Sequence, residues 1–208
     1  MKQREKVINV LGRLTNTIQG VVDFAWPMVL ISVVVLVSFR VCYLIKNKEK
    51  LVLYKELLGL SFIIYILCLF QVVTFQDNVT WSGNNFIPFR EILRYNIGSR
   101  LFFKNVIGNM IMFTPYGLFI SFYLKNEKPW LTIILTLVAS FSIELVQMVI
   151  GRVFDIDDIL LNILGGSLGF GIYYLGCKIW EKLPSVFKSE IFLNVLSIFI
   201  LIGVITIL

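Results

Sequence analysis

Glu144 is the single charged side chain in residues 131–150, a stretch otherwise apolar enough to cross a bilayer. An isolated charge in hydrocarbon costs roughly 2.5–3.5 kcal/mol on insertion scales, so such a residue marks a functional site until a partner accounts for it. Asn105 and Asn109 precede it, and Gln147, Arg152, Asp155, Asp157, Asp158 and Asn162 follow. These side chains can carry a proton, donate and accept hydrogen bonds, or meet a phosphate through a guanidinium. They do not make a complete nucleophile-and-base set. Histidine is absent, which excludes an imidazole base and the histidine-containing zinc hydrolase motifs.

On a helix, Ser140, Glu144, Gln147 and Gly151 share one face, with Glu144 about 9 Å from the helix end at 1.5 Å per residue. A following helix that starts early would align Asp155, Asp158, Asn162, Gly166 and Gly169. A preceding one would align Asn105, Asn109, Met112 and Tyr116. Three polar faces can thus converge, with Arg152 as the natural partner of Glu144 or an aspartate. Two readings stand: an ion-pair and amide network that locks three helices, or a pocket for a ligand. The local surplus of carboxylates over Arg152 favours water, a ligand or a cation nearby. Asp155 and Asp158 are weak candidates for magnesium or calcium, against the competing role of aspartates at a helix start. No other cofactor is expected.

The elements that must position these residues are membrane helices. Of 208 residues, 58% are hydrophobic and 15% charged, with a mean hydropathy of +0.85. Six apolar runs are long enough to span, at 28–45, 57–75, 106–124, 131–150, 159–177 and 191–208. The expected fold class is therefore an all-α, polytopic helical membrane protein of about six transmembrane helices. Residues 1–19 have the spacing of a helix lying in the interface, and no cleavable signal pattern is seen. Pro115 should bend the third span, with Thr114 or Tyr116 serving the carbonyl that it frees. Trp81, Tyr95 and the 86–89 segment have interfacial character. Cys42, Cys68 and Cys177 sit singly in apolar runs and suggest neither metal nor disulfide.

Counting six spans puts loops 76–105 and 151–158 on one side. Lys and Arg divide ten against nine between the two sides, which does not decide orientation by number. The short loops carrying Lys46, Lys48, Lys50, Lys55, Lys125 and Lys128 weigh most in the positive-inside bias, so loops 76–105 and 151–158 are expected outside the cytoplasm. The net charge of +6 reads as this topological signal and not as a nucleic-acid surface.

With these residues laid out, the chain resembles the VanZ-like family. The resemblance runs through Asn85-Phe86-Ile87-Pro88-Phe89, Asn105 and Asn109, Phe113-Thr114-Pro115-Tyr116-Gly117, Ser142-Ile143-Glu144 with Gln147, Arg152 to Asp158, and Asn162 with Gly165, Gly166 and Gly169. It covers roughly residues 57–208, the expected VanZ-like domain, and leaves 1–56 as an interfacial segment with an extra span. It implies a multi-pass protein of the bacterial cell membrane, linked to reduced susceptibility to teicoplanin-type glycopeptide antibiotics. Its expected partner is a membrane lipid or a lipid-linked cell-wall precursor, and not a nucleic acid. It marks Asn105, Asn109, Glu144, Gln147, Arg152, Asp155, Asp158 and Asn162 as polar-pocket candidates without giving them catalytic roles. The alternative is a membrane-embedded enzyme in which Glu144 or Asp158 is a general base and Arg152 stabilises charge on a phosphate. A transporter ranks third, because no internal repeat is visible. Oligomeric state leaves no signal in the sequence.

Overall fold

The computed structural model describes residues 26–75, 83–125 and 127–207. The expected interfacial helix at 1–19 and Trp81 lie outside them. The elements are α1 (Trp26–Asn47), α2 (Leu53–Phe75), the short α3 (Arg90–Arg94), α4 (Arg100–Phe102), a π turn (Phe103–Ile107), α5 (Gly108–Leu124), α6 (Pro129–Val149), α7 (Ile156–Lys182), a 3-10 turn (Ser185–Lys188) and α8 (Glu190–Ile207). Among the described residues the one β feature is an isolated parallel bridge between Asn85 and Asp155. Among the described residues, five helices meet the length and apolarity needed to cross a membrane: Trp26–Asn47, Leu53–Val72, Arg100–Leu124, Pro129–Val149 and Ile156–Lys182. The sixth expected span forms α8, an apolar helix of 18 residues, Glu190–Ile207. The protein is an all-α, polytopic membrane protein.

Two compact units divide the chain, one within Met1–Phe75 and Pro184–Leu208, the other within Gln76–Leu183. In the first, Arg40 joins α1 to α2 through two hydrogen bonds of 2.9 Å to the Glu56 carboxylate. The Tyr54 N–H at the start of α2 donates to Asn194 Oδ1 of α8 at 3.0 Å.

The second unit holds every candidate site residue. Its helices begin and end where the sequence supplies caps. Ser99 accepts the Phe102 N–H at 3.1 Å, so the third span starts at Arg100, ahead of the expected 106. Asp155 accepts the Asp157 N–H at 2.9 Å and starts α7 at Ile156, so the early start holds and Asp157 and Asp158 fall in its first turn. There the positive end of the helix dipole favours negative charge. α6 closes with Gly151 at φ 84°. The Gly151 N–H donates to the Met148 carbonyl at 3.2 Å and the Arg152 N–H to that of Gln147 at 2.9 Å, a Schellman motif. Gly151 therefore terminates the helix and is exposed, instead of extending the buried face of Ser140, Glu144 and Gln147.

The interior of this unit is polar where a soluble protein's would be apolar. Along α6 the buried side chains are Thr132, Thr136, Ser140, Glu144 and Gln147, while Leu137, Val138, Phe141, Leu145 and Val146 face outward. In lipid the outward faces meet a solvent as apolar as they are, so small residues and interhelical hydrogen bonds drive association. Three glycine contacts hold α5 against α7. A Cβ placed on Gly117 would overlap the Gly166 carbonyl, one on Gly165 that of Met110, and one on Gly169 that of Thr114. Gly166 likewise meets the Thr136 side chain of α6.

Candidate functional site

The loops before α3 and before α7 meet at one end of the second unit. The Asn85 N–H donates to the Phe154 carbonyl at 2.8 Å and the Ile156 N–H to that of Asn85 at 3.1 Å. Asn84 Oδ1 accepts the Phe154 N–H at 3.1 Å, and Phe86 stacks on the buried Phe154 ring at 5.3 Å. Within this join Asn85 Nδ2 donates to Asp155 Oδ1 at 2.8 Å, and Asn85 Oδ1 accepts the Ile87 N–H at 3.2 Å. Burial pushes the Asp155 carboxyl above its ordinary value, opposed by the hydrogen bonds from the Asp157 N–H and the Asn85 amide.

Asp157, only 1% exposed, organises α3. One of its oxygens accepts the Phe89 N–H; the other accepts those of Glu91 at 2.8 Å and Ile92 at 3.1 Å. A carboxylate that gathers several backbone N–H groups satisfies donors that a helix start leaves unpaired. Phe89 takes a left-handed φ of 66° at this turn, a conformation a non-glycine residue holds only when its surroundings fix it.

Glu144 is the next layer inward. It is 2% exposed and its Oε2 accepts the Asp155 N–H at 2.9 Å, so the misplaced charge of α6 holds the start of α7. Asp158, one turn into α7, accepts a hydrogen bond from the Asn109 amide of α5. Arg152 lies within electrostatic reach of both Glu144 and Asp158. Deeper still, Asn162 Nδ2 donates to Ser140 Oγ at 2.8 Å, while its buried Oδ1 has no hydrogen-bond partner among the described residues. Gln147 is buried on the same side of α6. Asn105 lies in the π turn, where it hydrogen bonds the Tyr95 side chain, and burial raises the Tyr95 phenol above its ordinary range.

Seven of the eight candidates therefore gather where α5, α6 and α7 meet the joined loops: Asn109, Glu144, Gln147, Arg152, Asp155, Asp158 and Asn162. Asn105 instead engages Tyr95 at the rim. Met112 and Tyr116, expected on the same face, are partly buried, and Tyr116 Oη donates across to the Leu135 carbonyl of α6 at 3.3 Å. Thr114 bonds the Met110 carbonyl at 2.8 Å and not that of Ile111, four residues before Pro115.

Of the two weak cation candidates, Asp155 Oδ1 takes the Asn85 amide and the Asp157 N–H, and Asp158 Oδ1 takes the Asn109 amide. Among the described residues no group of three or more His, Cys, Asp or Glu side chains could hold a metal ion.

The residues that sequence reasoning left off the candidate set are Asp157, Asn84, Asn85, Thr132 and Thr136. Asp157 carried a signal, three carboxylates crowded at one helix start, but its backbone partners lie 65 to 68 residues away. The threonines carried a plainer one. Thr132, Thr136, Ser140 and Glu144 recur every fourth residue through an otherwise apolar run.

No solved structure matches this chain. A curated relative, Protein VanZ of Enterococcus faecium, is 35% identical over 78 residues, which cover 36% of this chain and 48% of the relative. The match thus spans about half the length of that protein. The family model described as VanZ/LLP1 matches residues 62–179, which take in α5, α6, all but the last three residues of α7 and both joined loops. With more than half its length matched, and with that half holding the whole loop-and-helix network, the chain belongs to the VanZ/LLP1 family.

Proposed function

We propose that this protein binds a phosphate-bearing, lipid-linked component of the bacterial cell envelope at the joined-loop end of its second unit, and thereby lowers susceptibility to teicoplanin-type glycopeptides. One observation carries the preference for binding over catalysis. The buried carboxylates there are engaged in holding backbone and amide groups: Glu144 the Asp155 N–H, Asp155 the start of α7, Asp157 three N–H groups of the α3 turn, and Asp158 the Asn109 amide. Such a scaffold presents a shaped, cation-rimmed loop end with no assembled nucleophile and base. Family membership supports the envelope setting.

This reading sets both loops outside the cytoplasm, supported by the lysines of the short opposite loops. Asp157 is buried, so exposed Asn96 is the position to label. In a cysteine-free background, Asn96→Cys is expected to react with a membrane-impermeant thiol reagent on intact cells. Labelling only after permeabilisation would reverse the orientation. For the binding itself, mass spectrometry of the purified protein is expected to find a co-purifying phosphate-bearing envelope lipid. Recovery of bulk phospholipid alone, in the proportions of the host membrane, would sink the proposal. The enzyme alternative keeps Glu144 or Asp158 as base, and turnover of a labelled lipid-linked precursor would establish it.

A further inference from the structure

Beyond the Phe86–Phe154 stack, the outward side chains of the segment from Phe86 to Lys104 take no part in the joined-loop network. Its backbone is fixed from inside by Asp157 and by the Asn85–Asp155 bridge. Outside, Phe86, Ile87, Phe89, Leu93 and Ile97 are 57–89% exposed. Interleaved with them, Arg90, Arg94, Arg100 and Lys104 are exposed as well. Among the described residues only Arg94 of these four has a carboxylate in ion-pair range, Glu91 at 3.3 Å. Apart from the partly exposed Glu91 that pairs with Arg94, the negative charge of this end points the other way, since Glu144 and Asp157 are buried and the Asp155 carboxylate holds Asn85 and the start of α7.

The segment is thus cationic and apolar on its outer side while its acidic counterparts are turned inward. Its last five residues open the spanning helix Arg100–Leu124, which sets it at the boundary of the bilayer. Alternating apolar and basic side chains at that boundary suit the acyl edge and the phosphate layer of an anionic leaflet respectively. Arg guanidinium groups fit phosphate oxygens bidentately, whereas the zwitterionic headgroup of phosphatidylcholine offers each phosphate with its own compensating cation.

We propose that the Phe86–Lys104 segment docks on anionic phospholipid headgroups, with Arg90, Arg94, Arg100 and Lys104 on the phosphates and the exposed aromatic and aliphatic side chains in the acyl boundary. This deepens the preceding reading by naming the surface on which a phosphate-bearing envelope lipid arrives, yet it concerns ordinary anionic phospholipid. It stands or falls apart from the identity of any envelope ligand.

The test uses the full chain in lipid nanodiscs of phosphatidylcholine alone, or with part of the lipid replaced by phosphatidylglycerol, followed by hydrogen exchange. The amides of 86–104 are expected to exchange about tenfold more slowly with phosphatidylglycerol present, and the difference to shrink as salt is raised. Changing Arg90, Arg94, Arg100 and Lys104 together to Gln is expected to abolish it while α5, α6 and α7 keep their protection. If that variant does not fold, the salt titration on the unaltered chain reads the same property. Equal exchange in both nanodiscs would overturn the proposal. So would the same protection produced by soluble glycerol phosphate in phosphatidylcholine alone, which would mean a phosphate pocket and not a lipid surface.

Discussion

Two buried polar regions lie along the second unit, and they work in opposite ways. In the seam between α5, α6 and α7 the polar groups are neutral and small. Ser121 bonds the Gly117 carbonyl of its own helix at 2.7 Å and meets Thr132 at 2.8 Å, and Thr136 bonds the Thr132 carbonyl at 2.7 Å. At the joined-loop end the groups are carboxylates and amides, and their partners belong to other elements. Glu144 of α6 holds Asp155, and Asp157 of α7 holds α3. The seam lets helices approach; the network fixes where loops go. A hydroxyl that returns to its own helix is nearly self-sufficient, so its loss is mild. A carboxylate that gathers distant N–H groups leaves them all orphaned when removed.

That contrast can be broken in graded steps. The largest effect is expected for Gly117→Val, whose side chain would overlap the Gly166 backbone and which a helix pair cannot absorb. A loss of about 3 kcal/mol or more, seen as absent monodisperse protein after detergent extraction, follows from overpacking against backbone. Retention of wild-type thermal stability would show that the seam is looser than its geometry implies.

Asp157→Ala comes next, at about 2–3 kcal/mol, because it strands three backbone donors. Hydrogen exchange should accelerate at Phe89, Glu91 and Ile92 ahead of any change in α5 or α6. Uniform acceleration would mean that Asp157 supports the whole unit and not the α3 turn. Thr132→Ala, by contrast, removes one interhelical hydroxyl contact and is expected to lower stability by only about 0.5–1 kcal/mol. A cost matching that of Asp157→Ala would erase the distinction between the regions.

The smallest effect concerns pH. The Asp155 carboxyl is held above its ordinary value of 3.8 by burial. A raised folded-state value means that the protonated form is the better tolerated one. This group's contribution is therefore full below its ordinary value and is lost as pH rises through the folded value. Exchange at the Asn85–Asp155 join should quicken as pH climbs through and above the ordinary carboxylate range, after correction for intrinsic rates, and Asp155→Asn should flatten that slope. A slope unchanged in the variant would place the titration elsewhere.

Much of this organisation was readable from the chain because a bilayer imposes length and polarity directly. The apolar runs located the helices, and the spacing of Ser140, Glu144 and Gln147 located the C-terminal half of the inner face of α6, while its Thr132 and Thr136 half was missed. Their ends were less legible. Gly151 fits the helical spacing of that face, but its positive φ belongs to the turn that stops the helix. Arg100 looked like loop until the Ser99 cap and the π turn carried the helix through it. Asp157 was the hardest, since a buried aspartate and an exposed helix-start aspartate have the same local sequence. Its partners belong to a distant loop that the Asn85–Asp155 bridge joins to the start of α7.

In the binding proposal the carboxylates at the joined-loop end shape a surface and do no chemistry. It is tested most directly by incubating the purified full chain in nanodiscs with a labelled lipid-linked cell-wall precursor, with and without magnesium, and separating bound from converted label. The expected result is saturable retention of unaltered precursor, weakened by Asp157→Ala. Multiple turnovers to a new product, lost in Glu144→Gln or Asp158→Asn, would contradict it.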